Sequence, residues 1–332
     1  MKIFGSVLAA VFALAASGAE VVRGEKAAAW FPEKVRTAAI VDAARWDFAP
    51  GVEYGYAYCT NLFGRAGDLH VVRVELAKAA VRPWIDQGAF ASNKHHRLSR
   101  TSAAAAKTRA LFSLNGGFFT WKKLVPYYRM KVRGEVLASE AGGTMGLAFS
   151  GDGKRTLVGT VPEKELPDWE NFMAGEGLLS NGRCALDVKR PPIPAKNPEA
   201  PRTFLGMDAE RKYLWAFVTG GRQKGVRKSW GLGYFDVSEL MAWFGCRDGV
   251  NMDGGGSSNI VGWDGVLDRP KVLGRPNGFT AGKKAEQNRN GILRKIVERQ
   301  FHLVHLKLSP TYEQSVNYHS EHSHCCHTTC NI

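Results

Sequence analysis

Three consecutive glycines, Gly254-Gly255-Gly256, follow directly on the strand-like run Val250-Asn251-Met252 and the carboxylate of Asp253. A two-residue hairpin turn needs one or two glycines, so the third exceeds what chain reversal requires. Glycine also loses more conformational freedom on folding than any other residue. The surplus therefore marks a place where backbone passes close to another group or presents its amides to an anion. Ser257 and Ser258 add hydroxyls on the far side. The pattern is neither a Walker loop, which needs Lys-Ser/Thr after its last glycine, nor GxGxxG. Asp253 beside such donors is a candidate general base, nucleophile or orienting group.

A second corner has a related design. The apolar strand Ala110-Leu111-Phe112-Ser113-Leu114 runs into Asn115-Gly116-Gly117 and then Phe118-Phe119. Alone, this reads as a structural turn with core aromatics; it becomes a site element only as partner to the Asp253 corner. Asn115 can both donate to and accept from a substrate oxygen. Arg202-Thr203 and Gly221-Arg222 lie at element ends, and an arginine fork there suits phosphate oxygens. The other candidates offer less. His70 falls in a strand pattern and reads as structural, while His95 and His96 lie near a helix start and read as exposed. No Gly-x-Ser-x-Gly elbow supports a serine triad.

Between these corners the chain reads as strands with few helices. His70 to Leu76 alternates with period two, and Tyr213 to Val218, Gly249 to Met252 and Ser257 to Val261 are further strands. Arg133-Gly134-Glu135 and Gly151-Asp152-Gly153 sit between apolar runs as hairpin turns do. His95 to Lys107 is helix-like, and Asp236-Val237-Ser238-Glu239 predicts a capping box opening a helix to about Phe244. Pro191 to Pro201 reads as a surface loop. The expected class is α+β, a single domain with a mixed β-sheet and a few helices.

The ends differ from the body. Residues 1–19 read as a signal peptide: Lys2, then a short apolar stretch from Ile3 to Ala16, then a small-residue cleavage site before Glu20. That predicts an exported protein, periplasmic or extracellular, with no stable membrane insertion after cleavage. Residues 20–49 form a lead-in segment, residues 50–300 the main domain, and residues 301–332 an atypical His/Cys-rich tail that reads as disordered. Cys325, Cys326 and Cys330 crowd that tail without finger spacing. Cys59, Cys184 and Cys246 are scattered through the body, where one bridge or buried free thiols are both compatible. At 44% hydrophobic and 23% charged residues the chain is not a disordered one. The net charge of +14 favours anionic partners. Its dispersed Lys and Arg, together with the export signal, speak against nucleic acid and for phosphorylated or acidic glycans.

Taken in order, His70-Val71-Val72-Arg73-Val74, Asn115-Gly116-Gly117-Phe118-Phe119, Pro201-Arg202-Thr203, Gly221-Arg222, Glu239-Leu240 and Asn251-Met252-Asp253-Gly254-Gly255-Gly256-Ser257-Ser258 resemble the phosphodiester glycosidase family over roughly residues 50 to 265. The family's closing signature has only a loose counterpart in Asn288-Arg289-Asn290-Gly291-Ile292-Leu293. The resemblance implies hydrolysis of a sugar-1-phosphodiester to free sugar and a phosphomonoester, with no cofactor and no metal. Asp253, Asn115 and Arg202 would be the catalytic residues. Asp253 would stabilise charge at the anomeric carbon and Asn115 position a sugar hydroxyl. Substrate and phosphate would be held by Gly116, Gly117, Thr203, Arg222, Gly254, Gly255, Gly256, Ser257 and Ser258. Two other readings compete: a non-catalytic glycan-binding domain on the same fold, and a phosphodiesterase cutting the other side of the phosphate, which calls for a two-metal site.

Overall fold

The computed structural model describes residues 21–84, 101–120, 125–137, 139, 141–186, 198–225, 227–264, 267–274 and the backbone of 302–308. The signal-peptide stretch, His95, His96, the proline loop's centre, Asn288 to Leu293 and the cysteines of the tail lie outside the described residues.

In chain order the first strands are β1 (Val21–Arg23), β2 (Ile40–Ala49), β3 (Val52–Leu62), β4 (Arg65–Glu75), β5 (Ala79–Trp84) and β6 (Phe112–Asn115). There follow β7 (Met130–Val132), β8 (Glu135–Leu137), β9 (Met145–Phe149), β10 (Thr156–Thr160), β11 (Asn171–Ala174), β12 (Glu176–Ser180) and β13 (Arg183–Cys184). The remainder are β14 (Arg202–Met207), β15 (Tyr213–Thr219), β16 (Asp248–Asn251), β17 (Ile260–Asp264), β18 (Arg269–Val272) and β19 (His302–Leu308). The described α-helices are α1 (Glu25–Ala28), α2 (Glu33–Arg36), α3 (Thr101–Thr108) and α4 (Tyr234–Trp243).

A long sheet, ordered β1-β2-β3-β4-β15-β14-β16-β12-β13, forms the middle of the molecule. Its central strands are buried on both faces, and their alternation sorts side chains between two cores. In β4, Val72 and Val74 join one core with Leu205, Val218 and Val250. Leu69 and Val71 point the other way, to Phe204, Phe217 and the α4 residues Val237, Leu240 and Met241. Two smaller sheets, β10-β9-β11-β7-β8 and β18-β17-β6-β19-β5, cover the first face. Strands thus dominate with few helices, as expected. Among the described residues no helix is long and apolar enough to cross a membrane.

Four expectations change. Every strand pairing described is antiparallel, where the sequence suggested a mixed sheet. The reason lies in the connections: tight turns such as Arg133-Gly134 between β7 and β8 return the chain at once, and parallel pairing needs a long crossover. The lead-in segment is built into the domain, since β1 pairs with β2 and Ala27, Phe31 and Val35 are buried in the helix-side core. Trp30 packs so closely on β3 that a Cβ at Gly55 would clash with its ring. Helix α4 starts at Tyr234, ahead of the expected cap. Asp236 sits in its first turn, where Oδ2 accepts from Gly233 N at 2.9 Å and from Arg65 Nη1 at 2.7 Å. Finally, His302–Leu308 of the supposed disordered tail is a strand inserted between β5 and β6.

Candidate functional site

One end of the long sheet gathers the residues that the sequence singled out. Here β14 begins at Arg202, β12 begins at Glu176, β16 ends at Asn251 and β15 ends at Thr219. The neighbouring sheet contributes the end of β6 at Asn115. Antiparallel pairing brings strand starts and ends to one edge, so the turn 252–258 lands on top of this junction.

The two glycine corners are joined to each other. Asp253 N donates to the Gly116 carbonyl at 3.0 Å, and Asn115 Nδ2 donates to the Asp253 carbonyl at 2.8 Å. Asn115 Nδ2 also reaches the Gly116 carbonyl at 3.4 Å, while Oδ1 accepts from Thr203 Oγ1 at 2.6 Å and Asn259 N at 3.0 Å. An asparagine side chain has two donors and two acceptor positions, and all four are occupied. Asn115 is 1% exposed. It is therefore a knot holding three chain segments together, its amide already filled by protein groups where a sugar-hydroxyl ligand was expected. Thr203, fully buried and donating to Asn115, belongs to the same knot.

The glycine turn itself forms a short 3-10 turn, Gly255–Ser257, with Gly255 at φ 64°. Its amides largely face inward. Gly254 N donates to Asp253 Oδ1 at 2.9 Å, Gly255 N to the Pro201 carbonyl at 2.8 Å, and Ser257 N to the Gly254 carbonyl at 3.2 Å. The expected nest of open amides is thus replaced by a self-bonded turn. Gly117 N is directed to the Met173 sulfur at 3.1 Å and is not available to a ligand. What the glycines do provide is close approach: a Cβ at Gly254 would lie 3.1 Å from the Pro201 carbonyl and 3.6 Å from Arg202 Nη1. The Pro201 carbonyl leaves little room for a side chain at Gly254, and the positive φ of Gly255 favours glycine there.

Arg202 is buried and fixed from three sides. Nε donates to the Leu232 carbonyl at 3.1 Å, Nη2 to the Pro198 carbonyl at 2.7 Å, and Cζ lies 3.9 Å from the Tyr234 ring centre. That leaves Nη1 toward Gly254. Arg222 approaches the next residue of the turn, its Nη1 3.5 Å from a Cβ position on Gly255. Two guanidinium groups therefore flank one glycine turn, an arrangement suited to a phosphate.

Asp253 directly precedes the glycine turn. Burial pushes its carboxyl up to about 7, while the Ser257 side-chain bond and the Gly254 amide pull it down and the charge of Glu176 raises it further. A carboxyl that titrates near neutrality inside a cleft is a reactive-group candidate. Ser258 Oγ and the fully buried Asn251 Oδ1 have no partner among the described residues.

Sequence reasoning missed the second carboxylate. Glu176 Oε2 accepts from Asn251 Nδ2 at 3.0 Å and Oε1 from Tyr128 OH at 3.4 Å, and Tyr234 also bonds to it. Burial raises the phenols of both Tyr128 and Tyr234, so both stay protonated donors toward this carboxylate. Glu176 lies in Gly175-Glu176-Gly177, and glycines flanking an acidic residue were the one available signal. His70 is structural as expected, with Nδ1 2.7 Å from Tyr54 OH in the core. Cys59, Cys184 and Cys246 are all free thiols. No group of three or more His, Cys, Asp or Glu placed to hold a metal occurs among the described residues.

Comparison with known proteins agrees with this fold. Among solved structures the zebrafish N-acetylglucosamine-1-phosphodiester alpha-N-acetylglucosaminidase catalytic domain, auto-inhibited by its pro-peptide, is similar in fold. It has 17% identity, a TM-score of 0.58 and 88% of each chain covered. A hypothetical protein from Synechocystis matches with 12% identity and a TM-score of 0.55, over 79% of this chain and 63% of that one. No curated protein matches the sequence. The family model described as phosphodiester glycosidase matches residues 108–285, more than half of the chain, and spans both glycine corners, Glu176 and both arginines. The chain belongs to the phosphodiester glycosidase family.

Proposed function

We propose that this protein is an exported hydrolase that cleaves a sugar-1-phosphodiester on the glycosidic side, releasing free sugar and a phosphomonoester. The observation that carries the reading is a buried carboxyl titrating near neutrality, Asp253, at the head of a glycine turn that two arginine side chains approach. A phosphate is a good leaving group and needs little protonation. The demanding tasks are to hold the anion and to stabilise positive charge growing at the anomeric carbon. Arg202 and Arg222 serve the first, and ionised Asp253 the second. Asn115 and Thr203 fix the turn that carries Asp253. Export follows from the leader-like residues 1–19.

Product analysis tests the reaction. A panel of sugar-1-phosphodiesters, including UDP-linked and p-nitrophenyl-linked N-acetylglucosamine, should yield free sugar plus phosphomonoester. Sugar phosphate among the products would assign cleavage to the other side of the phosphorus, and binding without release would leave a glycan-binding domain.

The pH profile carries a second expectation. Because Asp253 acts ionised, kcat/KM should rise through about pH 7, where its carboxyl titrates, and level off above. Glu176→Gln removes the charge that opposes this ionisation, so the midpoint should move to lower pH by roughly half a pH unit or more. A profile left unmoved by that substitution would separate Glu176 from Asp253.

A further inference from the structure

The segment after β15 extends the site beyond the linkage that is cut. Residues 221–225 and 227–230 form the two limbs of a hairpin in which Gln223 N and Ser229 N each reach the other's carbonyl, at 2.8 and 3.2 Å, and Arg222 N meets the Trp230 carbonyl at 3.3 Å. Its base touches the glycine turn through Arg222. Its return limb is tied down strand by strand. Trp230 N donates to the Ala66 carbonyl on β4 at 3.1 Å, and Tyr58 OH on β3 donates to the Lys228 carbonyl at 3.0 Å. Arg227 Nη2 pairs with Asp42 on β2 at 2.6 Å. Since β4, β3 and β2 are sheet neighbours in that order, the hairpin is a strap running from the cleft along the edge of the sheet.

Its charges fall into two sets. Arg227 is neutralised by Asp42, and Arg65 nearby by Asp236 and Glu199. Arg222, Lys224 and Lys228 are exposed and make no ion pair with the described residues. Arg222 also holds a left-handed backbone, φ 54°, uncommon for a residue with a side chain and frequent where function fixes it. Beside them Trp230 is 53% exposed, a large ring left in water at the cleft's rim. Three unneutralised cations on an anchored track, with an aromatic face, suit a chain that repeats negative groups. One phosphate at the glycine turn would need only Arg202 and Arg222.

We infer that the strap Arg222–Trp230 binds the aglycone, and that the aglycone is an anionic chain with a further phosphate beyond the scissile one: a phosphodiester-linked glycan or polyol. This inference rests on the glycosidase reading for the word aglycone, and its test does not. The probe is a short poly(glycerol phosphate), which carries no sugar to cleave, titrated calorimetrically into the full chain and into Lys224→Glu/Lys228→Glu. The parent protein should bind it, with affinity falling steeply as salt rises. The double variant should bind more than ten-fold more weakly, melt at the same temperature, and turn over a methyl sugar-1-phosphodiester with unchanged KM. Equal affinity for parent and variant overturns the proposal. So does tighter binding of a single-stranded oligonucleotide with the same number of phosphates, or an equal loss on the methyl diester. Strap binding without cleavage of any diester would uphold the track and sink the glycosidase reading alone.

Discussion

Asp253→Asn should abolish turnover and at the same time stabilise the protein above neutral pH. The substitution keeps the shape of the side chain and its acceptor toward Gly254 N, and removes the negative charge. A carboxylate that stabilises charge at the reacting carbon accounts for a rate factor of roughly 10³ to 10⁴. The stability effect follows from the same titration. Asp253 titrates at about 7 in the fold against an ordinary value of 3.8, because burial penalises its charged form. Its contribution is therefore fully present below about pH 4 and is lost as pH rises through about 7. At about 1.36 kcal/mol per pH unit this span converts to about 4 kcal/mol, and solvent on the open side of the cleft lowers it to about 2. The variant and parent should then melt alike at pH 4, and the variant should melt higher at pH 8. A variant that loses activity and stability together would mean that Asp253 is a structural acid, held by Ser257 and Gly254 for the sake of the turn.

Much of this site was legible in the sequence, for a physical reason. Glycines that a turn does not need reveal close approach whatever the tertiary structure, and Gly254 and Gly255 are where two arginines and the Pro201 carbonyl converge. Strands were equally legible, because β4 and β15 carry period-two patterns that sort into two cores. The direction of pairing was not, since alternation is the same in parallel and antiparallel strands and only connection length separates them. The roles of polar side chains were the least legible. Asn115 next to two glycines looks like a ligand, and only the positions of Thr203 and Asn259, distant in sequence, show that its amide is filled. Glu176 escaped for the opposite reason: only the glycines on either side of it mark it in sequence, and its partners Tyr128, Tyr234 and Asn251 come from three separate segments. The start of α4 was misplaced because Asp236 has the chemistry of an N-cap, yet uses it from inside the first turn.

Asn115→Ala should be the most destabilising single change at this site. It strips partners from the Thr203 hydroxyl, the Asn259 amide and the Asp253 carbonyl, all within a buried junction, while the Gly116 carbonyl keeps its bond from Asp253 N. An orphaned buried group costs about 1–3 kcal/mol, and water entering the space left behind would rescue some of the three. A loss of about 4 kcal/mol is expected, read from urea or thermal unfolding. Thr203→Val removes one of these bonds and should cost about 1–2 kcal/mol. The informative variant is Asn115→Asp. It preserves an acceptor for Thr203 and Asn259 but sets a second oxygen against the Asp253 and Gly116 carbonyls, where a donor now stands. If Asn115 is the knot described, Asn115→Asp should unfold almost as readily as Asn115→Ala and lose kcat, because the backbone carrying Asp253 is released. If instead Asn115 touched the sugar, Asn115→Asp would keep its stability and raise KM with kcat little changed. Unfolding and kinetics measured on the same preparation separate a residue that binds substrate from one that holds the residue that does.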